Sequence, residues 1–178
     1  MIAEMIEDDA RRLDEIIAEL NKEAIKHKNA RDDYNRQAGV LAEKRDKLQA
    51  QARKLSSQAS VYKQQRDECN ISVREAKQKR DEWNDRPARM RAAGGLGDIG
   101  EAKSQAQNWH QKVMKYSQDG QALHEKMHTL MDEAGKLRDE AHVCHEQCQT
   151  CRKAAESEHE KYIVAVRKIE KVRDNLPE

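Results

Sequence analysis

The chain has 178 residues, of which 38% are charged, 37% hydrophobic and only 3% aromatic, with no Phe. This composition excludes a globular core of ordinary thickness and suits a narrow seam between helices, where two apolar positions per heptad suffice. Lys and Arg (34) nearly balance Asp and Glu (33) for a net charge of +1, which excludes a basic nucleic-acid arm or an acidic tail and leaves any RNA contact to a local patch.

No charged start followed by an apolar stretch marks a signal peptide, and the apolar runs are far too short for a membrane span. The sequence therefore reads as a cytoplasmic protein without membrane contact.

Counting by sevens from Ile6 gives Leu13, Leu20, His27, Tyr34, Leu41, Leu48, Leu55, Tyr62, Cys69, Ala76, Trp83 and Met90 as an unbroken d series. The matching a series includes Ile17, Ala24, Arg31, Ala38, Arg45, Ala52, Ala59, Arg66, Val73 and Arg80. This periodicity predicts a first helix over about residues 2–91. Asn84 to Gly100 then contains Pro87, Gly94, Gly95, Gly97 and Gly100, which predicts a reversal, with a tip over about 92–100. Asn84 or Asp85 is placed to cap a short helix with Pro87 in its first turn.

A second series follows, with a at Ala106, Val113, Gly120, Met127, Ala134, Ala141, Cys148, Ala155, Tyr162 and Ile169. Its d positions are Ala102, Trp109, Tyr116, Leu123, Leu130, Leu137, Cys144, Cys151, Glu158, Ala165 and Val172. It predicts a second helix over about 101–176. The expected fold is all-α: a long antiparallel two-helix coiled-coil hairpin with a Gly-rich tip, one elongated domain over residues 1–178.

Antiparallel pairing sets a against d. A turn centred on Gly94 and Gly95 matches large with small: Leu55 with Ala134, Ala52 with Leu137, Leu48 with Ala141, Tyr34 with Ala155, Trp83 with Ala106. It also sets Arg31 against Glu158, the acid of the second seam. Slipping by a heptad either way places Arg31 less well.

Helix 1 repeats a phrase, seen as Arg31-Asp32-Asp33-Tyr34-Asn35, Arg45-Asp46-Lys47-Leu48-Gln49, Arg66-Asp67-Glu68-Cys69-Asn70 and Arg80-Asp81-Glu82-Trp83-Asn84. Arg always falls at a, and Asn or Gln at e. Helix 2 carries His110, His124, His145 and His159 at e with the same spacing in mirror order, so each Arg meets one His. Metal binding or pH sensing is one reading of these imidazoles. The plainer reading makes them register layers: neutral imidazoles hydrogen-bonding Asn or Gln across the seam, with each Arg snorkelling to solvent or an acid.

Cys144, Cys148 and Cys151 occupy d, a and d, and are read as small apolar filler rather than as a metal site or disulfide. No metal, cofactor or catalytic residue is assigned. At the tip, Arg86, Arg89 and Arg91 occur with Met90 before the next acid at Asp98. With exposed amides at Gly94 and Gly95, they form a candidate phosphate contact. At the other end Ile2, Met5 and Ile6, continued by Ile16 and Ile17, form an apolar overhang suited to a protein partner or self-association.

The phrase Lys79-Arg80-Asp81-Glu82-Trp83-Asn84, with His124-Glu125-Lys126-Met127 and His159-Glu160-Lys161-Tyr162 downstream, resembles an archaeal coiled-coil family built on Lys-Arg-Asp-Glu-Leu-Asn repeats. The resemblance spans roughly Arg31 to Asn175. Some of those proteins carry a phosphoserine phosphatase label, which needs an Asp-x-Asp loop after a strand, and this chain offers neither. A further similarity, to fungal polysome-associated coiled-coil proteins, implies a role in translation. The resulting expectation is a non-enzymatic factor contacting ribosome or RNA through its tip. The alternative is a protein-binding scaffold or homo-oligomeric spacer with no nucleic-acid role.

Overall fold

The computed structural model describes residues 2–95 and 98–174, with side chains from Arg11 onward. Helix α1 is Ile2–Ala92 and helix α2 is Ile99–Asp174; among the described residues there is no strand. The two helices pack against each other as a hairpin.

Burial follows the heptads. The buried apolar residues of α1 are Ala24, Ala38, Ala52, Ala59 and Ala76, and those of α2 include Ala102, Ala106, Val113, Met127, Ala134, Ala141, Cys144, Cys148, Ala155, Ala165 and Ile169. Every one stands at a predicted a or d position. The large seam residues Tyr34, Leu48, Leu55, Tyr62, Trp83, Leu130 and Leu137 are only half-buried. Two helices enclose no third side, so a large side chain lies over the alanine opposite and seals it while keeping one edge in water.

The chain packs as two compact units, each holding a stretch of both helices: residues 1–49 with 139–178, and residues 50–138. In the first, the Cys148 thiol, 1% exposed, donates to the Ala38 carbonyl at 3.3 Å. This places the Cys148 side chain inside the seam, beside a small partner. In the second, Arg138 Nη2 donates to Ser56 Oγ at 2.5 Å, and a Cβ added at Gly120 would stand 3.4 Å from Cys69 Cβ. These contacts select the pairing centred on Gly94 and Gly95 over its one-heptad neighbours, because a slip of seven residues moves each partner by about 10 Å.

The reversal belongs to the second unit. Gly94, at φ +78°, ends α1 in the left-handed region. Its N–H donates to the Arg91 carbonyl at 3.1 Å, and the Gly95 N–H donates to the Met90 carbonyl at 3.0 Å, the paired bonds of a Schellman motif. Asp98 opens α2: its Oδ1 accepts from the Glu101 N–H at 3.0 Å, the bond of an N-cap. The short helix expected after Asn84 or Asp85 does not form. Helix α1 runs through Pro87 to Ala92, and Arg89 Nη2 donates to the Glu82 carbonyl at 2.8 Å. Pro87 lacks the N–H that would reach the Trp83 carbonyl, and the helix runs on with that one bond missing.

Side chains before Arg11, together with Leu96, Gly97 and residues 175–178, lie outside the described residues, so the expected overhang is seen only at Ile16, 48% exposed, and the half-buried Ile17.

Gly39 and Gly135 sit inside helices where an added Cβ meets nothing within 4 Å. Gly39→Ala and Gly135→Ala are each expected to raise stability by about 1 kcal/mol, and Gly94→Ala to lower it by about 1 kcal/mol because of its positive φ. Urea unfolding followed by circular dichroism measures both signs.

Candidate functional site

Two groups of residues stand out: the arginine layers along the seam and the arginines at the reversal. In each layer the guanidinium is gripped by the aspartate next to it. Arg31 Nε and Nη2 lie 2.9 and 2.7 Å from Asp32 Oδ1, and Arg66 Nε and Nη2 lie 3.0 and 2.6 Å from Asp67 Oδ1. Arg45 and Arg80 hold Asp46 and Asp81 through Nε at 2.8 Å each. The Asp in the repeated phrase is therefore the acid to which the seam arginine snorkels.

With one edge of the fork fixed, Nη1 faces the other helix. It approaches His159 Nδ1 from Arg31 at 3.4 Å, His145 Nδ1 from Arg45 at 3.4 Å and His124 Nδ1 from Arg66 at 3.5 Å. A guanidinium only donates, so in each of these contacts Nδ1 is the acceptor. The mirror-order pairing of Arg with His is thus realised in three layers. Arg80 holds Asp81, but no bond joins it to His110 among the described residues.

Two details correct the sequence reading. The imidazoles do not bond Asn35, Gln49, Asn70 or Asn84 across the seam; the arginine, already oriented by its aspartate, reaches Nδ1 instead. Nor does Arg31 pair with Glu158. That carboxylate takes His27 Nδ1 at 2.5 Å and Lys161 Nζ at 2.6 Å, since Arg31 is committed to Asp32. The Lys161 ammonium, and after it the His27 imidazole, hold the Glu158 carboxyl below its ordinary range.

At the reversal Arg86, Arg89 and Arg91 are exposed, and Met90 is half-buried. The Arg86 guanidinium stacks 4.4 Å from the Trp83 ring centroid. Arg89 reaches Glu82 as described, and Arg91 Nε donates to the Pro87 carbonyl at 3.2 Å. The backbone amides expected to serve phosphate are spent: Ala93, Gly94 and Gly95 all donate back into α1. Anion contact at the tip rests on the remaining guanidinium donors alone.

A feature absent from the sequence reading is the spacing of His124 and His128, four residues apart on one face of α2. Their ring centroids lie 4.4 Å apart in an edge arrangement. The signal was available, since His-Glu-Lys-Met-His places two imidazoles at i and i+4, a metal-ligand spacing on a helix. Heptad periodicity places His124 at e and His128 at b, and does not show that the two rings meet. The remaining surface features are shallow: a groove of about 770 Å³ runs beside Val61, Tyr62, Ala122 and Leu130. No helix of the described residues is long and apolar enough to cross a membrane.

A model of a family of unknown function, DUF7121, matches residues 15–94. The chain is similar to that family over most of α1, including all four arginine phrases and the turn at Gly94. No curated protein and no solved structure matches it.

Two measurements check the layers. Glu158 contributes stability that is complete above the ordinary carboxylate range and is lost as pH falls through its lowered value in the fold. Glu158→Gln should therefore flatten the fall of Tm between about pH 5 and pH 3. A double-mutant cycle of Arg45→Ala with His145→Ala should return a coupling of about 0.5 kcal/mol, whereas Arg45→Ala with His159→Ala should be additive.

Proposed function

We propose that the protein is a non-enzymatic binding factor that contacts ribosomal or other RNA through the end of its hairpin. The carrying observation is the run of exposed Arg86, Arg89 and Arg91 with no acid between Asp85 and Asp98. Each guanidinium has five donors in a planar fork and spends only part of them on its own helix, so edges remain for phosphate oxygens. The Schellman turn holds the last helical turn in place and presents these side chains on an ordered backbone. The likeness of the Lys-Arg-Asp-Glu-Trp-Asn phrase to the archaeal repeat proteins, and of the chain to polysome-associated coiled coils, supports translation as the setting.

The second reading, a protein-binding scaffold or spacer, is favoured by a different observation. In the first unit Val40, Val143 and Val164 are 63%, 49% and 50% exposed. They stand at c positions, on the flank away from the histidines, where apolar side chains meet a partner helix at little desolvation cost.

The Arg86→Glu, Arg89→Glu, Arg91→Glu triple variant decides between them. Native protein should co-sediment with ribosomes at moderate salt and the variant should not, with circular dichroism unchanged. A variant that still co-sediments removes the tip from the mechanism. A native protein that copurifies with a single protein and no ribosomal RNA supports the scaffold.

A further inference from the structure

We propose that His124 and His128 form a chelating site for a divalent transition-metal ion of the zinc, nickel or copper class. The two imidazoles project from successive turns of α2 on one exposed face, with ring centroids 4.4 Å apart. Four residues is a little more than one helical turn, so the side chains stand one above the other. A small rotation of χ2 in each lets one ion sit between ring nitrogens. The helix has already fixed both backbones, so the second imidazole binds at high effective concentration.

Imidazole nitrogen selects this class of ion over magnesium and calcium, which take hard oxygen ligands. No third His, Cys, Asp or Glu joins the pair among the described residues, so water completes the coordination sphere. His142 and His145, farther along this flank, have other neighbours. His142 Nε2 lies 3.5 Å from Glu146 Oε1, and His145 stands between Arg45 at 3.4 Å and the Gln149 amide at 2.9 Å.

The site is coupled to the seam. His124 Nδ1 accepts from Arg66 Nη1 at 3.5 Å. Ligation through Nδ1 uses the same lone pair. Ligation through Nε2 moves the ring proton to Nδ1, which then no longer accepts. Either way the ion and Arg66 compete for His124, so metal binding releases a register arginine, and loss of that arginine frees the ligand.

Isothermal titration of Ni²⁺ into the reduced, untagged full-length chain at neutral pH tests this. The expected result is one ion per chain, with His128→Ala and His124→Ala each weakening binding by about a hundredfold. Arg66→Leu, which places an apolar side chain at a seam position, should tighten binding severalfold. Absence of binding at millimolar Ni²⁺ overturns the proposal. So does His128→Ala binding like the native chain, which would move the ion to the thiols or another histidine. Unchanged affinity in Arg66→Leu overturns the coupling to the seam.

Discussion

The hairpin depends on a divided guanidinium. In the phrase Arg-Asp, one edge of the arginine is tied to the aspartate on its own helix, and Nη1 is thereby aimed across the seam at an imidazole of the other. This solves a problem posed by the rest of the seam. Layers of alanine facing a large residue look much alike from one heptad to the next, so apolar packing alone leaves slipped registers close in energy. A slipped register strands every arginine opposite a residue that is not its histidine.

The arginines of these layers are half-buried, and polar pairs of this kind add little stability. Stability comes from repetition. Ala134, Ala52 and Ala76 are sealed to 0%, 1% and 1% exposure, each contributing little by itself. The same narrowness explains the cysteines. Cys148 fits against the Ala38 backbone because a thiol is scarcely larger than the alanines around it.

The reversal shows how backbone chemistry shapes the surface left for function. Gly94 supplies the positive φ, and the amides that a loose glycine loop would have offered to an anion are turned inward to close α1. What faces outward is side chain: three arginines, each partly anchored to the helix that carries it. An anchored guanidinium loses less conformational freedom on meeting a phosphate than a free one. The tip is accordingly an ordered cationic end whose outward chemistry is charge and planar hydrogen-bond donors.

Heptad counting from the sequence alone determined both helices, the place of the reversal, the buried alanines and the order in which three of the four arginines meet histidines, because each follows from a period of seven and a single turn. Only the tertiary structure decided what each polar side chain holds. Arg31 prefers Asp32 to Glu158, His27 takes Glu158 instead, and α1 continues through Pro87, since those choices depend on distances of a few tenths of an ångström that a pattern does not carry. The pairing of His124 with His128 was written in the spacing, yet it became a site only once both rings were seen on one open face. Periodicity says which face a residue occupies; the direction of its side chain and the neighbour it reaches are set by packing against the second helix.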